Sequence, residues 1–233
     1  MQSKKISHLF FDLDHTLWDF ESNSRQSLSR LFQEYKMQEN FRIDEQAFIS
    51  KYAEINANMW DRFHRNEISR EELRISRFGK TFEYFGIVSP ELEREFSEKY
   101  LELLPLQKRV FPDAYHVLDY LKTKYRLHLI TNGFEKVQRS KLYHSSLEPY
   151  FEVVVISELT GYKKPEPEIF EYALYHARAE KEESLMIGDD WVADIEGALN
   201  FGMDAIFFNP EKKPVILKSA KQISELSELK SLL

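Results

Sequence analysis

The sequence predicts an α/β protein, a parallel sheet covered by helices, with a second, all-helical module inserted near its start. Three observations predict it. Short apolar runs alternate with helical stretches from Phe111 onward. One isolated apolar run, "HLFFDLD", precedes them and matches their composition. Between the two, from about Ser22 to Leu104, apolar residues recur at helical spacing.

Taken in order, Ile6 to Asp12 reads as a short buried strand that ends in two carboxylates, Asp12 and Asp14. Phe48, Tyr52, Ile55, Met59 and Phe63 then mark one face of a helix, as do Ile75, Phe78, Phe82 and Phe85. Pro90 opens a further helical stretch that ends near Pro105. Later, "RLHLIT" (126–131), "FEVVVIS" (151–157), "SLMIGD" (184–189) and "DAIFF" (204–208) read as strands. The helices between them run from Phe134 to Ser145, Pro167 to Ala177 and Trp191 to Phe201. Short links between alternating elements imply right-handed crossovers, hence a Rossmann-like parallel sheet. The first strand cannot bury itself alone and belongs with the later ones. The expected division is a core of residues 1–17 plus 107–233, with 18–106 inserted. An insertion there is expected over the C-terminal strand ends, where open α/β sheets bind ligands.

The chain has 233 residues, room for this core and its insertion. A net charge of -7 with dispersed Lys and Arg argues against a nucleic-acid partner. It leaves room for a small anionic substrate beside a local cation. With no cysteine, disulfides and thiolate zinc sites are excluded. No stretch reads as a signal peptide or reaches membrane-spanning length, so a cytoplasmic protein with no membrane partner is expected. Whether it works as a monomer or homodimer stays open.

The polar residues of interest each follow a different strand. Asp12 and Asp14 follow the first, and Thr131, Asn132 and Gly133 the second. Lys163 and Lys164 lie in the loop after the third, and Asp189, Asp190 and Asp194 follow "LMIG". In a parallel sheet these ends share one edge. Several carboxylates in one cleft repel, and a divalent cation such as Mg²⁺ resolves the repulsion. A lysine, the Thr131 hydroxyl and backbone N–H groups near Gly133 suit a phosphoryl group beside that metal. Taken singly, each cluster has a plainer reading. Acids cap turns and helices, Asn-Gly makes turns, and a lysine pair is solvated loop.

Together, "DLDHT" (12–16), "ITNG" (130–133), "KKPEPEIF" (163–170) and "IGDDWVAD" (187–194) resemble the four ordered motifs of the haloacid-dehalogenase (HAD) superfamily. The insertion after the first motif resembles that family's helical cap. "DLDHTLWDFESNS", "LITNGFEKVQRSKL" and "YFEVVVISELTGYKKPEPEIFEYAL" look most like the YjjG-type pyrimidine 5′-nucleotidases. The resemblance implies a Mg²⁺-dependent phosphomonoesterase. Asp12 would be the nucleophile that forms an aspartyl-phosphate, and Asp14 the general acid and base. Thr131 and Asn132 would bind the phosphoryl group, with Lys164 steadying nucleophile and phosphate. Asp12, Asp189 and the Asp14 carbonyl would hold Mg²⁺, with Asp194 acting through a water or from behind. His15 stands where the family pattern has Gly, and Thr16 is expected to fix the turn. Asp190 receives no firm role.

The insertion should set specificity. Asn56, Trp60 and His64 fall four apart on one helical face. Arg70, Arg74 and Arg77 share a face opposite Ile75, Phe78 and Phe82. An aromatic and an arginine there could stack on a base and contact its substituents. Trp18 and Phe20 are candidate lining residues. The plainer readings are packing for the aromatics and a solvated face for the arginines. Four activities are in play. A nucleotide phosphatase leads, and a phosphatase or phosphomutase of sugar phosphates keeps every motif. A haloacid dehalogenase needs neither Mg²⁺ nor Asp14, and a receiver-like module needs no cap.

Overall fold

The structure is a computed structural model that describes residues 5–212, 214 and 220–233. The chain divides into two compact units, residues 1–20 with 108–233, and residues 21–107.

The first unit is built on a six-stranded, wholly parallel sheet of order β3-β2-β1-β4-β5-β6. Strand β1 (His8–Phe11) lies inside the sheet, and its four residues are buried. It pairs with β2 (Arg126–Thr131) on one side and β4 (Ser184–Gly188) on the other. Strand β3 (Val153–Ile156) continues outward from β2, and β5 (Asp204–Phe208) and β6 (Lys221–Ile223) from β4. The order therefore reverses between β1 and β4, which opens a crevice at the C-terminal ends of those two strands. The sequence pattern did not single out β6. Three residues with two exposed give almost no apolar signal, and only the ladder to β5 defines them.

Period-two alternation sends Phe10 of β1 to one side of the sheet. There it packs with Ile130, Met186, Phe170, Ile195 and Phe207. Helix α9 (Pro167–Ala177) and α10 (Gly197–Phe201) supply much of this layer. Each such side chain contributes about 1.5–3 kcal/mol when fully buried.

The second unit comprises most of α1 (Phe20–Glu34), then α2 (Met37–Phe41), α3 (Glu45–His64), α4 (Arg70–Tyr84) and α5 (Pro90–Leu103). Local chemistry starts three of these helices. Asp44, Ser69 and Ser89 accept N–H bonds from Ala47, Glu72 and Leu92, and Pro90 occupies the first turn of α5. The interior is aromatic. Tyr52 stacks on Phe78 at 4.6 Å, and Phe96 meets Phe82 at 5.4 Å and Phe48 at 5.7 Å. Such pairs add about 0.5–1.5 kcal/mol beyond area burial.

Two expectations about this unit are corrected. Ile75 is 52% exposed, whereas Arg77 is 4% exposed. The buried stripe of α4 runs through Leu73, Arg77, Phe78, Thr81 and Phe82. A four-residue spacing from Leu73 therefore sets the inward face, and it draws Arg77 in away from exposed Arg74. The Arg77 guanidinium donates to Asn56 Oδ1 at 2.9 Å, so both residues sit inside the unit.

The remaining elements are α6 (Ala114–Leu121), α7 (Glu135–His144), the single turn α8 (Ser157–Thr160) and α11 (Leu229–Leu232). A π-helical turn, Trp191–Glu196, precedes α10. Among the described residues, no helix is long and apolar enough to cross a membrane.

Candidate active site

The ends of β1, β2 and β4 and the loop after β3 bring polar residues together near the crevice between β1 and β4. The main chain of Asp12 continues the ladder, its N–H donating to Ile187 O at 2.9 Å, which fixes the side chain at the switch point. Lys164 is 2% exposed and arrives from the loop before α9. Its ammonium donates to Asp12 Oδ1 at 2.5 Å and to Ile130 O at 2.9 Å. It also ion-pairs with Asp194 Oδ1 at 2.6 Å. One buried cation thus ties together residues from three strand ends.

Asn132 holds that lysine from the backbone side. Its Nδ2 donates to Lys164 O, and its Oδ1 accepts from Lys164 N, both at 2.9 Å. The Asn132 amide, expected on the phosphoryl group, is therefore committed to the neighbouring loop.

Asp12, Asp189 and Asp194 each offer an oxygen within 4.8 Å of the others. Thr16 donates to Asp189 Oδ1 at 2.9 Å. It orients this carboxylate rather than the turn it was expected to fix. Gly188 makes the cluster possible, since a Cβ there would lie 2.2 Å from Asp194 Oδ2. Asp190 accepts from Val192 N at 2.9 Å and Ala193 N at 2.8 Å, and so caps the π-helical turn.

Two buried carboxylates, Asp12 and Asp194, share the one ammonium, and half-buried Asp189 completes the cluster without contacting it. Burial pushes the Asp12 carboxyl up to about 7, the Lys164 charge opposing and Asp194 reinforcing the rise. Burial raises Asp189 well above the carboxylate range, with Asp12 and Asp194 adding to it. Asp194 is raised by burial against the pull of Lys164. If all three ionise, two negative charges stand uncompensated. A divalent cation offsets both, and an all-oxygen donor set suits Mg²⁺. The residues present fit such an ion, with Asp12, Asp189 and Asp194 as its side-chain holders.

Asp14 lies outside that trio. Its carboxylate accepts from Lys141 Nζ at 2.6 Å and 2.9 Å, and from Gln138 Nε2 at 2.9 Å. Gln138 also donates to Thr131 Oγ1 at 2.6 Å. Gly133 has to be small here, because a Cβ would meet the Gln138 side chain at 2.3 Å. Neither Gln138 nor Lys141 stood out in the sequence. Their signal was a three-residue spacing on the helix directly after "ITNG", which puts both on one face.

The proposed lining residues divide. Trp18 is fully buried, its ring under the Lys141 ammonium at 4.5 Å and edge-on to Phe20 at 6.2 Å. Trp18 and Phe20 thus act as packing rather than open lining. Trp60 and His64 lie within the helical unit. Trp60 packs on Phe63 at 5.8 Å and tilts against His64 at 5.9 Å. His15 adopts a left-handed φ of 63°, a conformation glycine accepts most readily, with its ring 4.8 Å from Phe20.

A doubly wound sheet with a buried carboxylate–lysine pair and a carboxylate trio at its switch point has the layout of an α/β enzyme. Residues 6–202 match the haloacid dehalogenase-like hydrolase family model, and the chain belongs to that family. It is 36% identical over 205 residues to the pyrimidine 5′-nucleotidase PynA of Streptococcus pneumoniae, covering 87% of this chain and 83% of that protein. It is 30% identical to the pyrimidine 5′-nucleotidase YjjG of Escherichia coli, covering 98% of each. The magnesium-bound crystal structure of YfnB from Bacillus subtilis superposes with a TM-score of 0.88 at 28% identity, covering 98% of this chain and 99% of that one.

Proposed function

We propose that this hydrolase is a Mg²⁺-dependent phosphomonoesterase whose substrate is a nucleoside 5′-monophosphate, with pyrimidine preference. The observation that carries the reading is Lys164, buried between Asp12 and Asp194 beside a carboxylate trio that calls for a divalent cation. The nucleotidase relatives at 36% and 30% identity support the substrate class.

In this reading the Asp12 carboxylate attacks phosphorus, and the bond from phosphorus to the leaving oxygen breaks. Lys164 holds the attacking carboxylate in place and offsets phosphoryl charge. The Thr131 hydroxyl, its oxygen accepting from Gln138, is left to donate its own proton to a phosphoryl oxygen. The main-chain N–H groups of Asn132 and Gly133 serve the same end. Asp14 gives a proton to the leaving oxygen, then takes one from the water that attacks the aspartyl-phosphate. That second attack breaks the bond from phosphorus to Asp12 and frees phosphate. A bound Mg²⁺ would offset the carboxylate excess and draw charge from the phosphoryl oxygens. Residues 21–107 are the cap that selects the leaving group in this reading.

The test is phosphate release from a panel of nucleoside monophosphates and sugar phosphates with Mg²⁺. Preference for pyrimidine nucleotides is the expected result. Preference for sugar phosphates overturns the substrate class, and no release from any ester overturns the phosphatase reading.

A further inference from the structure

Resting on that reading, we infer that Lys141, with Gln138, is a positioning residue for Asp14 and fixes the direction in which Asp14 can hand over a proton. Lys141 belongs to none of the four motifs, yet its side chain is only 3% exposed and its ammonium contacts both Asp14 oxygens. Gln138, fully buried, adds a second donor to Oδ2 and ties that oxygen to the Thr131 hydroxyl. Both donors come from one face of α7. The Asp14 side chain keeps 24% exposure, so these contacts hold a carboxylate that solvent still reaches.

Lys141 is itself anchored. Its ammonium lies 4.5 Å from the Trp18 ring centroid and 5.4 Å from that of Phe20, within cation–π range. The buried Trp18 beside it forms a bridge with Val110 across the connection that leaves the catalytic loop. Proton transfer needs donor and acceptor at about 2.6–3.2 Å, so a carboxylate free to rotate loses efficiency without losing its chemistry. The arrangement therefore makes protonation of the leaving oxygen depend on Lys141, whereas attack by Asp12 does not.

The discriminating experiment compares kcat/KM on two esters, because kcat/KM reports steps up to the first transfer only. A nucleoside 5′-monophosphate leaves as an alkoxide that needs a proton, and p-nitrophenyl phosphate leaves as a phenolate that scarcely does. Lys141→Met is expected to lose on the order of 10²-fold on the nucleotide and less than about threefold on the aryl ester. Lys141→Arg, which can still reach the carboxylate and stack on Trp18, should recover much of the loss. In the Asp14→Asn background, Lys141→Met should add nothing further. Equal losses on both esters with an unchanged melting temperature, or additive losses in the double variant, would overturn the inference. Should Lys141→Met fold poorly, Lys141→Gln, which also lacks the ammonium, takes its place with the same ester ratio expected. A wild-type chain that cleaves neither ester overturns the phosphatase reading and this inference with it. A wild-type chain that cleaves both, with the ratio unchanged in the folded variant that lacks the ammonium, overturns the inference alone.

Discussion

Asn132 and Lys164 hold each other through a reciprocal pair of hydrogen bonds, side-chain amide to main chain, each 2.9 Å long. The pair joins the end of β2 to the loop that carries the buried ammonium. It places Lys164 Nζ on Asp12 without using any side-chain atom of the lysine. Asn132→Ala removes both bonds and leaves two main-chain groups in need of partners. The expected loss is about 1–3 kcal/mol in a denaturant midpoint, together with a fall in kcat. Asn132→Asp should do worse than its similar shape suggests, because a carboxylate then faces the Lys164 carbonyl. Equal activity of Asn132→Asp and wild type would show that the staple does not set the lysine.

Asp12→Asn is expected to abolish phosphate release while preserving the fold. The amide can still accept from Lys164, and Asp194 keeps its ion pair with that lysine. The variant removes one of three carboxylates from a cluster with excess negative charge, so in the metal-free protein its melting temperature should hold or rise. Near-normal turnover would mean that another group attacks phosphorus.

The same cluster gives a pH dependence of definite sign. Asp12 folds with its carboxyl raised to about 7, above its ordinary 3.8, so between those values the folded state binds the extra proton. Metal-free stability from this group falls as pH rises from about 4 through 7. Mg²⁺ should therefore raise the melting temperature more at pH 8 than at pH 5.5, since ionised carboxylates are the ones it offsets. Thermal melts with and without Mg²⁺ at the two pH values check this. An equal shift at both would place the ion elsewhere.

Much of this architecture was legible in the sequence, and the failures have physical causes. The β2 and β5 runs, RLHLIT and DAIFF, match their strands end to end, because buried parallel strands are continuous apolar runs between helices. The ordered polar residues at successive strand ends foretold one shared edge, and Asp12, Lys164 and Asp194 meet within ion-pair distance there. Periodicity failed where residue type misleads. Ile75 looked inward and lies outside, while Arg77 looked outward and is buried, because α4 aligns on Leu73 instead. Lys141 and Gln138 escaped notice for a related reason. A lysine and a glutamine on a helix read as solvated surface until the strand end they face is known.

His15 offers a stability test free of the chemistry. Its φ of 63° is one that β-branched residues scarcely tolerate. His15→Val should destabilise by about 1–3 kcal/mol. His15→Gly relieves the backbone and loses the Phe20 contact, so it should stay within about 1 kcal/mol of wild type. Equal midpoints for the Val and Gly variants would show that the loop relaxes freely.

The far end of the sheet carries a second pH effect, opposite in sign to that of Asp12. His8 Nδ1 and His128 Nε2 lie 2.9 Å apart on neighbouring strands β1 and β2, with the His128 ring fully buried 4.7 Å from Phe10. Burial, reinforced by the adjacent His8, lowers His128 to about 4. The unfolded chain takes up a proton at this residue near its ordinary 6.5, and the folded one only near 4. Stability from this group is complete above 6.5, falls as pH drops from 6.5 to 4, and is flat below. The full span is about 3 kcal/mol at most. His128→Phe keeps the ring beside Phe10 and abolishes the titration. Denaturant midpoints should then fall less steeply for the variant than for wild type between pH 6.5 and 4. Using the Asp12→Asn background for both chains removes the opposing Asp12 contribution, and those of Asp189 and Asp194 are common to both chains. Parallel slopes in the two chains would mean that acid sensitivity arises elsewhere.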